Sequence, residues 1–89
     1  MRAVITVVGK DRVGILAKVS AICAACNANV NDVTQSVMQD MFAMIMMVDI
    51  SRISCDFKEI QVKMNQLGEE MGLQIHVMHE DIFNSVHRI

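Results

Sequence analysis

The sequence predicts an α+β domain in which two helices cover one face of a four-stranded antiparallel sheet. Three observations support this class: short apolar segments rich in β-branched residues, two longer segments with apolar residues three and four positions apart, and no linker-like composition between them. The predicted elements are strands at 3–8, 30–38, 41–50 and 73–78, a helix at 13–26, a second helix that begins at 54–56 and closes at Gly72, and a tail at 80–89.

The two helices are predicted from apolar stripes with helical spacing. The stripes are Leu16, Val19, Cys23 and Cys26 in the first helix, and Phe57, Ile60, Met64, Leu67 and Met71 in the second. Asn27 is expected to end the first helix, because asparagine tolerates the left-handed backbone that glycine usually adopts there. Ser54 or Asp56 is expected to cap the start of the second helix, and Gly72 to close it.

The middle of the chain predicts a hairpin with Gln39-Asp40 as its two-residue turn. The strand before the turn is partly polar, which is typical of a sheet edge. The strand after it is apolar on both faces. One face carries Phe42, Met44, Met46, Val48 and Ile50, and the other carries Met41, Ala43, Ile45 and Met47.

The element order β-α-β-β-α-β with right-handed crossovers predicts a ferredoxin-like sheet with the first and third strands in its centre. Both helices then cover the same face, so one apolar face of the third strand lies beyond their reach. A second copy of the chain is the expected cover, by sheet-to-sheet or edge pairing, and Met41, Ala43, Ile45 and Met47 are the predicted interface. The alternative is that the tail folds back across this face.

Seven of the nine methionines divide between two environments on the same reasoning. Met38, Met44, Met46, Met64 and Met71 are expected in the core. Met41 and Met47 are expected in the partner surface.

Composition excludes several classes of function. The 89 residues suffice for one domain, 1–89, and the net charge of −2 excludes a nucleic-acid binder driven by bulk positive charge. A hydrophobic fraction of 53% against 20% charged residues excludes an acidic disordered tail. No apolar run approaches the roughly 20 residues of a membrane helix. Three cysteines, an odd number, without a secretory signal predict that the protein resides in the reducing cytoplasm and has no disulfide framework.

The turn at 10–15 is the best candidate site, because it joins a buried strand to the start of a helix. Free backbone N–H groups at a helix start attract a carboxylate, and Gly14 would let a ligand approach the backbone closely. Asp11 could accept a hydrogen bond from a ligand amine, or it could simply cap the helix. Asn29 and Asn31 could bind the carboxylate and ammonium of an amino acid, or they could satisfy their own backbone.

Other chemistry finds little support in the sequence. Cys23-Ala24-Ala25-Cys26 is a C-x-x-C that ends a helix rather than beginning one, so core packing is preferred to redox chemistry. His76, His79 and His87 could join Cys55 or Asp81 in a metal site, but His76 and His79 are predicted on opposite strand faces, so all three histidines are interpreted as surface residues. No acid/base pair or activated nucleophile is readable, so neither catalysis nor a cofactor is expected.

Two short motifs carry a resemblance to a known family. Asp11-Arg12-Val13-Gly14-Ile15 resembles the Asp-x-x-Gly-(Ile/Leu/Val) turn of ACT domains, and Asn29-Val30-Asn31-Asp32 resembles the Asn-Ile-x-Asp that opens their second strand. The segments 5–15 and 81–89 are similar to those of the stand-alone ACT proteins grouped as UPF0237. The resemblance covers essentially the whole chain. Regulators of the glycine cleavage operon and the N-terminal domain of formyltetrahydrofolate deformylases are more distant relatives.

The resemblance implies a regulatory module that holds an amino acid between two domains. The turn of one domain contacts the ligand from one side, and the start of the other chain's second strand contacts it from the other. Carried over to this sequence, the ligand-binding residues are Asp11, Val13, Gly14, Ile15, Asn29 and Asn31. Many members have Pro in place of Val13 and Gly in place of Asn27. Val13 keeps a backbone N–H that Pro lacks, which alters the amide geometry of the turn.

Two hypotheses follow for the function. The first is a homodimeric amino-acid sensor that docks on a separate, unidentified regulated protein. The second is a ligand-free interaction module whose methionine-rich face recruits another protein.

Overall fold

A computed structural model of the chain describes residues 1–86, and it contains the predicted element order with a short helix after the last strand. The elements are β1 (Arg2–Lys10), α1 (Ile15–Ala25), β2 (Asn29–Met38), β3 (Met41–Asp49), α2 (Phe57–Met71), β4 (Leu73–His79) and α3 (Glu80–Val86). The structure describes the predicted tail as far as Val86. His87 and Ile89, at the end of the tail, lie outside the described residues.

The sheet order is β2-β3-β1-β4 with every neighbouring pair antiparallel, which confirms the ferredoxin-like prediction and its two central strands. The first strand continues through Gly9 and Lys10, beyond its predicted end at residue 8, because Gly9 still pairs with both Phe42 and Leu73. The face toward the helices carries the core, which includes Ile5, Val7 and alternate residues of β3.

Four of the five methionines predicted in the core are buried there: Met44, Met46, Met64 and Met71. The prediction for Met38 is wrong, because this side chain is 69% exposed. Met38 pairs with Met41 beside the hairpin turn and so shares the sheet face that points away from the helices. Met38 directly follows Val37, which pairs with Phe42 on the core face, so the alternation of the strand directs Met38 to the other face.

Helix α1 begins two residues later than predicted, since Gly14 is its N-cap residue and adopts a left-handed φ of 89°. Its end matches the expectation for Asn27, which takes a left-handed φ of 56°. The Asn27 N–H donates to the Ala24 carbonyl at 3.1 Å, and the Ala28 N–H donates to the Cys23 carbonyl at 2.8 Å, which together form a Schellman motif.

Helix α2 begins after Asp56, which occupies the N-cap position but makes no side-chain capping hydrogen bond. It closes at Gly72, whose φ of 68° confirms the predicted left-handed end. No helix within residues 1–86 has the length and apolar character needed to cross a membrane.

Gly68 allows α2 to pack tightly on β4, and we expect Gly68→Ala to destabilise the protein. A Cβ at this position would lie 2.7 Å from the Leu73 carbonyl oxygen, which belongs to backbone that cannot rotate away. Glycine to alanine inside a helix normally stabilises by about 1 kcal/mol, but overpacking costs about 1–3 kcal/mol. Chemical denaturation measures the sign. Asn65→Ala, on the exposed side of α2, is the control, and a more stable Gly68→Ala variant would contradict the close contact.

Candidate functional site

The β1–α1 turn is held against the β2–β3 hairpin and leaves the start of α1 open. The Asp11 N–H donates to the Asp40 carbonyl at 2.7 Å, and the first helical hydrogen bond runs from the Lys18 N–H to the Gly14 carbonyl at 3.0 Å. The N–H groups at the start of α1 therefore have no carbonyl partner within the helix. Within residues 1–86, no atom beyond the chain neighbours of Gly14 lies within 4 Å of the position that a Cβ of this residue would take. The turn thus presents backbone donors beside open space.

Asp11 does not cap α1, so that alternative is wrong. Gly14 occupies the N-cap position three residues further on, and the exposed Asp11 side chain makes no hydrogen bond within the described chain. The carboxylate is consequently available to a ligand amine. Val13 is 98% exposed, and Ile15 is buried in the core, so Ile15 lies in the turn as an anchor rather than as a surface group.

Arg12 has a partner that sequence reasoning did not identify. Its Nη1 donates to the Met71 carbonyl at 3.0 Å, which places a guanidinium at the C-terminus of α2. Cations are favourable at helix C-termini because of the negative end of the helix dipole. Arg12 belongs to the 10–15 turn, so its guanidinium is a candidate counter-charge for a ligand carboxylate there.

Asn29 and Asn31 are brought together by a β-bulge that sequence reasoning missed. The register of β2 against β3 shifts between Val30 and Asp32, so Asn31 is the unpaired extra residue. The Asn29 Nδ2 donates to the Asn31 Oδ1 at 3.0 Å, and both side chains are exposed. The two amides therefore bond to each other rather than to their own backbone. The spacing of Val30 and Val33, which both pack on the core although three apart, is the sequence signal for the bulge.

One chain does not bring the two halves of the predicted site together. Asn29 pairs with Asp49, which pairs with Arg2 at the beginning of β1, whereas the turn follows Lys10 at the other end of that strand. Nine residues of strand at about 3.3 Å each separate the two ends by about 26 Å. A small ligand cannot contact both halves within one chain.

We call the sheet face opposite α1 and α2 the open face, and an apolar strip runs along its β3 strand. The open face contains the four residues predicted as an interface, Met41, Ala43, Ile45 and Met47, together with neighbours on β1 and β4. Met41 is 47% and Ile45 is 43% exposed, whereas Ala43 and Met47 are half-buried. Water therefore contacts a patch of large apolar side chains in the isolated chain.

Helix α3 covers one end of the open face, so the tail alternative holds for part of it. Val4 points away from the core face and is nevertheless fully buried, and α3 packs against both β1 and β4. A bidentate ion pair between Arg2 and Glu80, at 2.6 and 2.8 Å, fastens the start of α3 to β1. Phe83 lines a mainly apolar groove of about 480 Å³ beside Ile45 and His76.

The cysteines and histidines have separate surroundings. Burial, with a smaller contribution from Cys26, raises the pKa of the Cys23 thiol to about 11, in keeping with its place in the core. His76 is exposed on the open face, whereas His79 stacks on Phe57 at 4.2 Å on the other face. Among residues 1–86, no three His, Cys, Asp or Glu side chains are grouped so that they could hold a metal ion.

Comparison with known families settles the classification, because the model of the ACT domain family matches residues 2–78. The chain belongs to the ACT domain family. Within it, this ACT domain is 52% identical over 86 residues to a UPF0237 protein of Methanococcus maripaludis, and the match covers 97% of this chain and 96% of that protein. It therefore also belongs to the UPF0237 group of ACT proteins.

Solved structures agree with the fold of this ACT domain. An ACT domain protein from Streptococcus pneumoniae is 34% identical, with a TM-score of 0.79 and 93% of each chain covered. The ligand-free regulatory subunit of aspartate kinase from Thermus thermophilus is 23% identical, with a TM-score of 0.66, and the match covers 85% of this chain and 49% of that one. The second similarity concerns the fold alone.

Proposed function

We propose that this ACT domain is a non-catalytic regulatory module that binds a small molecule of the amino-acid class as a homodimer. The observation that carries the proposal is the separation of the two polar half-sites, the 11–15 turn and the Asn29/Asn31 bulge, at opposite ends of one sheet. Each half is open and incompletely hydrogen-bonded. A second copy would complete the site if its Asn29/Asn31 bulge lay beside the 11–15 turn of the first copy.

A dimer that packs the open faces together meets this requirement in one orientation. The two-fold axis must lie between the sheets and run perpendicular to the strands, so that the turn of one protomer faces the bulge of its partner. An axis parallel to the strands would bring like ends together and leave both half-sites incomplete. The open face favours this packing over edge pairing, because Ile45 and Met41 are apolar and exposed whereas the β2 edge is polar.

The proposed ligand chemistry follows from the two half-sites. The carboxylate of an amino acid would accept hydrogen bonds from the N–H groups at the start of α1, where the helix dipole favours negative charge. Its ammonium would donate to Asp11 of the same protomer and to the free Asn29 Oδ1 of the partner. Val13 would line the turn from the solvent side, and Gly14 would permit the close approach. No cofactor is required.

Regulation by this module would be a shift of an equilibrium. A ligand that binds only the assembled site stabilises the dimer by its differential affinity for the two states, and a partner protein would read that change. The aspartate kinase subunit of Thermus thermophilus has the same fold and a regulatory role in its own enzyme. In this proposal the regulated protein is a separate chain in the same, cytoplasmic, compartment.

Thermal melting of the purified protein against each amino acid tests the ligand. A ligand at 100 times its Kd adds about 2.7 kcal/mol, which raises Tm by about 10–20 °C for a chain of this size. A shift with one or two amino acids names the ligand. No shift with any amino acid at millimolar concentration would contradict the proposal.

Val13→Glu tests the turn without disturbing the fold, because this side chain is 98% exposed. A carboxylate there repels the ligand carboxylate by about 1 kcal/mol or more, so we expect at least a fivefold loss of affinity, measured by calorimetry. Val13→Gln, similar in size but neutral, is the matched control. Equal affinities for the two variants would remove the turn from the site. Gly14 is unsuitable for this test, since its φ of 89° makes any side chain strained.

The second candidate function, a ligand-free interaction module, is favoured by the exposed apolar surface itself. Ile45, Met41 and Val8 stay exposed even with α3 in place. In that case the chain binds a partner through the open face, and no amino acid changes the melting temperature.

A further inference from the structure

Cys26 and Cys55 lie together where the end of α1 meets the segment before α2. Cys26 is the C-cap residue of α1, and its carbonyl accepts a hydrogen bond from the Ser54 N–H at 2.9 Å. The Cys55 side chain packs against the buried core cluster that contains Cys26, and it directly follows the residue whose N–H bonds to the Cys26 carbonyl. Close approach of the two backbone segments is a geometric requirement for a disulfide.

The two sulfurs differ in access to solvent. The Cys26 side chain is fully buried, whereas the Cys55 side chain is partly exposed to solvent. The Lys63 Nζ donates to the Cys26 Sγ at 3.8 Å, so the inner sulfur has a cation as neighbour. A small reagent can therefore react with Cys55 from solvent. The Cys26 thiol can react only with groups inside the fold, such as Cys55.

We propose that Cys26 and Cys55 form a modification site, a thiol pair that a small-molecule disulfide converts to an intrachain disulfide. The Cys55 thiolate attacks one sulfur of the reagent, which forms a mixed disulfide and releases one equivalent of small thiol. Cys26 then loses its proton to solvent and attacks the Cys55 sulfur, releasing the second equivalent. The protein loses two hydrogens as the reagent disulfide is reduced to two thiols.

The rate of this reaction should depend on pH. Burial, the hydrogen bond to Cys26 and the nearby Glu59 carboxylate raise the pKa of Cys55, with Lys63 opposing them, to about 11. Since the thiolate is the attacking species, the rate should rise about tenfold per pH unit between pH 7 and pH 10. Thiols of high pKa are also poor leaving groups, so the finished bridge should resist reduction.

The bridge would fix one connection of the fold. It would join the α1–β2 turn to the segment between β3 and α2, two segments already connected by the hydrogen bond from Asn27 Nδ2 to the Arg52 carbonyl at 2.8 Å. The loop it closes contains β2 and β3. Constraining so long a loop in the unfolded chain should raise Tm by about 10 °C or more.

Peptide mapping after oxidation with oxidised glutathione at pH 9 tests the pair. Trypsin separates Cys55, in peptide 53–58, from Cys23 and Cys26, both in peptide 19–52. We expect these two peptides to be joined in the wild type and in Cys23→Ser, and to be separate in Cys26→Ser and Cys55→Ser. The oxidised wild type should also melt at the higher temperature, and reduction should reverse both changes.

Several outcomes would overturn the proposal. These are a link that survives Cys26→Ser but is lost in Cys23→Ser, a link between two copies of peptide 53–58, and glutathione that stays attached to Cys55 after prolonged incubation. Cys55→Ser changes the outer position and keeps the test informative if Cys26→Ser fails to fold. Circular dichroism of each reduced variant establishes that it is folded before oxidation.

Discussion

Replacing Ile45 with aspartate is expected to convert the homodimer that we propose for this ACT domain into monomers. Ile45 lies at the middle of central strand β3, on the open face, opposite Thr6 and Thr34. In a dimer packed through this face it would be buried, and a buried carboxylate without a partner costs several kcal/mol. Because both protomers carry the substitution, two carboxylates would be buried in each interface. In the monomer the side chain is 43% exposed, so the fold should tolerate the change.

Sedimentation equilibrium measures this effect as a dimer dissociation constant. Val62→Asp is the matched control, because Val62 is 45% exposed on α2 and lies outside the open face. The control should keep the wild-type constant, whereas the Ile45 variant should raise it by at least a hundredfold. Equal constants for the two variants would move the interface elsewhere, with the β2 edge as the next candidate. A monomeric wild type would contradict the homodimer itself.

Met46→Ala is expected to destabilise the folded protein by about 2–5 kcal/mol. Met46 is fully buried on the core face of β3, between Ile5 and Val33 on the neighbouring strands. Truncation removes most of its apolar surface and leaves a cavity that two flanking strands cannot easily collapse. Domains of this size are stable by about 5–15 kcal/mol in total, so Tm should fall by about 10 °C or more.

Met38→Ala is the control for that prediction and tests whether this residue is exposed in solution. Met38 is exposed beside the hairpin turn, so its truncation should change the free energy of unfolding by no more than about 0.5 kcal/mol. Urea denaturation of both variants at one protein concentration gives the comparison. Similar losses in the two variants would mean that Met38 is buried in solution, for example in the dimer.

Much of the fold could be predicted because it depends on short-range periodicity. Alternation along β3 assigns Met44 and Met46 to the core and Met41 and Ile45 to the other face, and the structure confirms each. Residues with special backbone preferences are equally informative. Asn27 and Gly72 end their helices in the left-handed conformation, as their chemistry leads one to expect.

The candidate site was predictable only in part. The turn and the asparagine pair were found from local motifs. The availability of Asp11, the bond between Asn29 and Asn31, and the contact of Arg12 with α2 depend on packing between elements. A bulge of one residue changes which side chains of β2 face the core, and the spacing of Val30 and Val33 identifies it only once both are known to pack on the core.

The sequence by itself determined the order of the elements, the apolar character of both faces of β3 and the family of the chain, because these reside in residue type and spacing. Only the tertiary structure decided which cysteines lie in the same part of the fold, how far α3 covers the open face, and that the two half-sites lie at opposite ends of the sheet. Cys26 and Cys55 are 29 positions apart, and β1, near the start of the chain, packs against α3, which follows the last strand. Such contacts depend on the chain topology and on which elements pack together. A local pattern of residue types along the sequence specifies neither of them.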